Sequence, residues 1–200
     1  MNKKDSLLYG DWERINSFAT DTCSTMLSIW KLLENDERLW KSWSLMVPCD
    51  SHGLQLLIGD ILSILYYKEI HHHITQIITT FRSSPKQLSI LQEKQKSIYG
   101  KTSALILSVM IRWGTQAEAI NSVYHNKDAF KLYLLDSCSS INNTVIDLLG
   151  SRSVWHVLEQ LQDLILPIQQ DQLFSESQNS YLCRIVNRWL EIRWHLSAIS

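Results

Sequence analysis

The sequence predicts a helix-dominated α/β chain in which a small mixed α/β portion precedes an all-helical portion. Three observations carry this prediction. Three prolines and six glycines occur among 200 residues, so few positions interrupt a helix. Long stretches repeat apolar residues at helical spacing. Two apolar runs near the start of the chain are much shorter and have the length of strands.

The mixed portion covers residues 14–66 and follows a polar, loose tail over residues 1–13. We expect a short strand from Ile15 to Thr20 and then a helix from Thr22 to about Glu34. The polar run Asn35–Glu37 should end that helix. The predicted inward face of the helix combines four apolar side chains: Met26, Ile29, Trp30 and Leu33.

A second buried strand is predicted over Leu45–Val47, directly before Pro48. A strong helical pattern follows, with apolar residues at spacings of three and four. Its members are Leu54, Leu57, Ile58, Ile61, Leu62 and Leu65.

Residues 67–200 are predicted to be mainly helical. Pro85 suits the first turn of a basic helix from Lys86 to Tyr99, and Gly100 suits its end. Helix and strand compete over Leu105–Ile111, which is apolar and partly β-branched. Further helices are expected at about 115–125, 127–136, 142–149, 153–170 and 176–197.

The formal net charge of −1 gives no global sign of nucleic-acid binding, because a separate DNA-binding domain is usually strongly basic. Local charge is uneven: residues 70–117 are basic and residues 128–176 are acidic. The four cysteines form no CxxC pair, which argues against a zinc ribbon and a thioredoxin motif. The sequence contains neither a signal-peptide pattern nor an apolar run of membrane-spanning length. We therefore expect an intracellular protein with reduced thiols and without a membrane partner.

Asp21 is the first candidate site residue. An aspartate between a strand and a helix can hold its carboxylate at the carboxyl edge of a sheet, where α/β folds often bind ligands and metals. The alternative is that Asp21 or Thr22 caps the helix.

Cys49 and His52 are close enough in sequence to share one small site. As a zinc pair they lack a second pair at useful spacing. The alternative is a buried thiol and an imidazole that joins the helix to the preceding strand.

The triplet His71–His73 is another candidate metal site, but consecutive helical residues point in different directions and chelate one ion poorly. A solvated or interface patch is the preferred interpretation of this triplet.

Arg112 and Trp113 form the third candidate site. Arginine offers planar donors for a phosphate, and tryptophan offers a face on which an unpaired base can stack. A surface arginine next to a core tryptophan is the alternative.

Together, three segments in this order resemble hAT-type DNA transposases of the kind common in fungi: Thr20–Met26, Val47–Leu57 and Arg112–Trp113. The resemblance implies an incomplete ribonuclease H-like core over 14–66 and a large all-α insertion-type region after it. Asp21 matches the second of the three acids that bind two divalent ions, Mg²⁺ or Mn²⁺, in the intact family. Cys49 and His52 match the motif beside the active site. Arg112 and Trp113 match the dipeptide whose tryptophan stacks on a flipped base and stabilises hairpin DNA.

The family pattern places the first acid upstream of this chain and the third acid after the insertion domain. The expectation is therefore a fragment, or a decayed or domesticated relative, that does not catalyse cut-and-paste transposition alone and binds no metal tightly. The resemblance also implies transposon-end or hairpin DNA as partner and a nuclear location. A homo-oligomer remains open. The competing hypothesis is a non-enzymatic helical module that binds DNA or a protein, with residues 82–112 as its phosphate contact.

Overall fold

The structure, a computed structural model, describes residues 17–35, 45–109, 114–137, 141–178 and 181–199. Within these ranges it contains nine α-helices, a short 3-10 helix and one sheet of two strands. The predicted helix-dominated class is therefore confirmed. The chain divides into two compact units, Met1–Gly53 and Leu54–Ser200.

The first unit contains two paired strands with a helix between them in sequence. The strands run in parallel, with Phe18 opposite Met46 and Ala19 opposite Val47. Because parallel neighbours need a crossover, the helix lies within the connection that joins them. Both predicted strands are confirmed, although the first is described only from Ser17. These elements are β1 (Ser17–Thr20), α1 (Ser24–Glu34) and β2 (Leu45–Pro48).

Trp30 ties α1 to the sheet, because its indole N–H donates to the Thr20 hydroxyl at 2.7 Å. Met26 and Trp30 are half-buried, whereas Ile29 is exposed, so the inward face of α1 is narrower than predicted. Val47 of β2 is only partly buried, which corrects the prediction of a buried second strand. The physical reason is that the described sheet has two strands, so each of them is an edge strand.

The larger unit is helical throughout its regular structure. Leu54 and Ile58 of the helix after β2 are fully buried in its core. The two units divide after Gly53, within that helix. The helices are α2 (Asp50–Ser63), α3 (Leu65–Ser83), α4 (Pro85–Tyr99), α5 (Thr115–Tyr124), α6 (Lys127–Ser137), α7 (Asn143–Gly150), α8 (Arg152–Ser175) and α9 (Ile185–Ile199), with a 3-10 turn at Leu182–Arg184.

The ends of α4 follow the sequence signals. The Ser84 side chain caps the helix by accepting the Gln87 N–H, and Pro85 occupies the first turn. Gly100 ends the helix with φ of 71°, a left-handed conformation that glycine adopts without the steric cost of a Cβ. The predicted start and stop of this helix are confirmed.

The core of the larger unit is built around one face of α3, whose inward residues recur at helical spacing. Phe81 at its end is fully buried. Its ring contacts Phe130 and Tyr133 of α6, with centroid separations of 5.2 and 5.0 Å. These distances are typical of favourable aromatic pairs. The α3 residues in this core are Ile70, Ile74, Ile77, Ile78 and Phe81.

Three predicted spans in the larger unit need correction. α8 continues beyond residue 170 to Ser175, because Gln169 and Gln172 replace apolar residues on its buried face and interrupt the pattern. The last helix begins at Ile185 rather than near residue 176. Residues 105–109 form neither helix nor strand, because side chains of neighbouring helices bind part of their backbone.

Candidate functional site

Two predicted site residues follow neighbouring strands in the first unit. Asp21 comes directly after β1, and Cys49 comes directly after β2. The Cys49 N–H donates to the Thr20 carbonyl at 2.7 Å, which extends the pairing of the strands. Since the strands are parallel, both residues lie at the same carboxyl edge of the sheet.

The Asp21 carboxylate lies in a polar turn before α1. It accepts the backbone N–H of Cys23 at 3.2 Å. Hydrogen bonds from the Cys23 side chain and backbone lower the pKa of Asp21, and the charge of nearby His52 contributes in the same direction. Asp21 is therefore held as a carboxylate near an imidazole. The N-cap of α1 is Cys23, so neither Asp21 nor Thr22 takes the capping position that the alternative gave them.

His52 lies in the first turn of α2 and is half-buried, as is the Cys49 thiol. The charge of His52 acts on the Asp21 carboxylate, so the first two sequence motifs lie within electrostatic range of each other in the first unit. Cys49 carries a free thiol.

A two-metal centre needs several carboxylates, because both ions must be held while they act on the attacking and leaving oxygens. In the described part of the chain, no group of three or more His, Cys, Asp or Glu residues could hold a metal ion. Asp21, Cys49 and His52 therefore do not fit a two-metal centre by themselves.

Arg112 and Trp113 lie outside the described residues, but both flanks of this dipeptide are described. Upstream, the Thr115 hydroxyl accepts the Val109 N–H and donates to the Val109 carbonyl, both at 3.0 Å. Downstream, the Gly114 N–H donates to the Gln55 side-chain carbonyl at 2.9 Å. Side chains therefore fix the chain on either side of the dipeptide.

Gln55 is a residue that the sequence analysis missed. Besides Gly114, its side chain binds Gln116 at 3.1 Å and Gln172 at 3.5 Å. It thus joins α2 to the start of α5 and to α8. The sequence did contain a signal for this role. Gln55 is a polar residue among the leucines at the start of α2, and a polar side chain in an apolar run usually needs a hydrogen-bond partner.

The segment that leads to Val109 is anchored by a second set of polar side chains. Gln95 forms two hydrogen bonds with the backbone of Ser103, one as acceptor at 3.2 Å and one as donor at 2.9 Å. Asn126 binds both residues through its side chain. Farther along, the Ser122 hydroxyl accepts the Ile106 N–H at 3.1 Å. The segment 103–109 thus has fixed hydrogen-bond partners without belonging to a helix or a sheet.

The basic residues of 82–112 differ in their availability to a ligand. Lys86, Lys96 and Lys101 are exposed. Lys94 is half-buried and forms an ion pair with Asp136 of α6. The exposed lysines suit phosphate contact better than Lys94.

The imidazoles of the triplet in α3 have different surroundings. Burial lowers the pKa of His71, and the neighbouring His72 adds to the lowering. The Nε2 atom of His71 and the Nδ1 atom of His73 are buried without a hydrogen-bond partner among the described residues. The Nε2 atom of His73 lies 4.0 Å from the Glu69 carboxylate. His71 is thus held neutral by its surroundings.

His71 should therefore make the protein less stable in mild acid. Its ordinary pKa of 6.5 applies to the unfolded chain, while the folded value is lower. As pH falls below about 6.5, the unfolded state takes up the proton first, so the free energy of unfolding falls. Urea denaturation at about pH 7.5 and about pH 5 should show this loss, and His71→Gln should reduce it. Gln92→Ala, at an exposed position without a titratable group, should keep the wild-type pH dependence; equal behaviour of the two variants would refute the assignment.

Comparison of the chain with protein-family models, curated proteins and solved structures finds no match. None of the helices in the described ranges has both the length and the apolar character of a membrane span.

Proposed function

We propose that this chain is a relative of hAT-type transposases that binds hairpin DNA ends without cutting them. In this proposal, β1, β2 and α2 are the remainder of a ribonuclease H-like core, and the helical unit corresponds to the insertion region. The observation that carries the proposal is the parallel pairing of β1 with β2, with Asp21 and Cys49 at one edge. The proposed ribonuclease H-like core requires this pairing, which the motifs alone do not establish.

The DNA-binding role is proposed for Arg112 and Trp113. The hydrogen bonds at Val109 and Gly114 support it, because they fix the described chain on both sides of the dipeptide. Arg112 would contact a phosphate and Trp113 would stack on an unpaired base. We place this activity in the nucleus.

The absence of cutting is proposed from the chemistry of the donor set. Asp21 and His52 supply one carboxylate and one imidazole, which is too few for two divalent ions. Asp21 would then serve as a remnant of the ancestral metal site.

The test measures binding and cleavage on the same DNA. Purified protein is mixed with a hairpin-ended duplex or a blunt duplex of equal length, with Mg²⁺ or Mn²⁺ present. We expect tighter binding to the hairpin-ended duplex and no strand cleavage or joining. Equal affinity for the two ends would contradict the hairpin role. Metal-dependent strand transfer that Asp21→Ala abolishes would contradict the absence of catalysis.

A second candidate function is a DNA-binding module without end preference. The observation that favours it is the exposure of Lys86, Lys96 and Lys101. Such binding should weaken steeply with salt on any DNA, since phosphate neutralisation releases counterions whatever the sequence or end structure.

A further inference from the structure

A second basic surface lies on α6 and the start of α8. It borders a cavity of about 550 Å³. The cavity is large enough for a small-molecule group or a short piece of a polymer. We call it the α6/α8 groove, and its basic lining residues are Lys127, Lys131, Arg152 and His156.

Cationic side chains outnumber carboxylates in the lining of the α6/α8 groove. Lys127, Lys131 and Arg152 line it, against one carboxylate, that of Glu159, which also accepts the Tyr124 hydroxyl at 3.1 Å. Lys131 pairs with Asp128 at 2.8 Å, yet both side chains are more than half exposed. An exposed pair of this kind contributes little, so an incoming anion can compete for Lys131. Arg152 and His156 are exposed.

The beginning of α8 adds to this potential. Gly150 and Arg152 line the groove on either side of Ser151, which is the N-cap of the helix. The Ser151 hydroxyl accepts the Val154 N–H at 3.4 Å. The positive end of the helix dipole therefore lies at the groove, together with backbone N–H groups of the first turn. Anions, and phosphate in particular, bind such positions when side-chain cations accompany them.

The remaining lining distinguishes a sugar-phosphate backbone from a stacked base. Trp155 is 6% exposed, and its indole N–H donates to the Leu149 carbonyl. Lys127 lies 5.8 Å from the centre of that ring. The tryptophan face is thus already covered, so a base has no ring on which to stack. Leu135, by contrast, is 81% exposed and offers an aliphatic surface suited to deoxyribose.

We propose that the α6/α8 groove binds the sugar-phosphate backbone of a single DNA strand. Arg152, Lys131 and His156 contact phosphates, and Leu135 contacts the sugars. The inference rests on the proposed function in that its ligand is DNA. Its residues are separate from Arg112 and Trp113, and it requires no hairpin.

The test uses a fluorescein-labelled oligothymidylate and the full chain, with affinity measured by anisotropy over a salt series. The variant is Lys131→Gln/Arg152→Gln. Its control is Lys68→Gln/Arg193→Gln, which removes the same charge from exposed positions on α3 and α9. We expect the groove variant to flatten the slope of log affinity against log salt by about 1.4, because each single-strand phosphate contact contributes roughly 0.7. The control should keep the wild-type slope.

Two results would overturn the groove assignment. One is the same slope for the groove variant and its control. The other is unchanged oligothymidylate binding in the groove variant, together with loss of binding to a labelled polyglutamate peptide, which would identify an acidic peptide as the ligand. Failure of the hairpin role is a different result: hairpin-ended and blunt duplexes would bind wild type equally, while the groove variant would still flatten the oligothymidylate slope.

Discussion

Replacing Trp113 by alanine is expected to weaken binding of hairpin-ended DNA by about 1–3 kcal/mol, or roughly 5- to 150-fold in Kd. The reason is the loss of the aromatic face on which an unpaired base would stack. Trp113→Phe should retain most of the affinity, because a ring remains. Binding to blunt duplex should change little, since its bases are already stacked. Anisotropy titrations with both DNA ends measure the difference.

The matched control is Trp194→Ala. Trp194 of α9 is 76% exposed, so its removal tests the general effect of losing a surface tryptophan. It should leave hairpin affinity unchanged. Equal losses for Trp113→Ala and Trp194→Ala would show that the dipeptide has no special role.

Substitutions of Gln55 test the role of the dipeptide independently of Trp113. Its side-chain carbonyl accepts the Gly114 N–H next to Trp113. Gln55→Glu keeps an acceptor for that N–H, whereas Gln55→Ala removes it. We expect Gln55→Ala to weaken hairpin binding more than blunt-duplex binding. Gln55→Glu keeps the acceptor but loses the donor to Gln116 and adds a negative charge, so it should restore only part of the hairpin preference. A loss shared by both duplexes would indicate general damage to the fold.

The sequence predicted those elements whose signals are local. The strand Leu45–Pro48 is a short apolar run, and α4 begins with Pro85 and ends at Gly100. Each signal acts within a few residues, through burial, a fixed φ or a permitted positive φ. The sequence also predicted that Asp21 follows one strand and that Cys49 follows another. The parallel pairing of these two strands was seen only in the structure.

Features that depend on distant partners could not be predicted. Side chains of other helices bind the backbone of Ser103, Ile106 and Val109, and no local pattern specifies these partners. Gln55 connects to residues far along the chain for the same reason. The helix and strand propensities of the residues distinguish helix from strand. They give little information on segments whose backbone groups form hydrogen bonds with side chains.

The buried polar network around Asn126 should contribute strongly to stability. Asn126 is 1% exposed, and its side chain accepts from Gln95 at 2.7 Å and donates to the Ser122 carbonyl at 2.7 Å. Asn126→Leu keeps the branched side-chain shape but removes both interactions. We expect the free energy of unfolding to fall by about 1–3 kcal/mol for each buried group left unpaired. Urea denaturation followed by circular dichroism measures it, with exposed-site Asn187→Leu as a control expected to change little.

A double variant separates lost hydrogen bonding from simple crowding. In Asn126→Leu, the buried Gln95 amide loses one of its acceptors and faces an apolar side chain. In Gln95→Leu/Asn126→Leu, both polar partners are gone, so that penalty disappears. The double variant should therefore lose less stability than the sum of the two single variants. Additive or larger losses would mean that packing, rather than the polar network, limits stability there. Less-than-additive losses would show that Gln95 and Asn126 stabilise the fold as one unit. Both of these side chains bind Ser103, which begins the segment that leads towards Arg112 and Trp113.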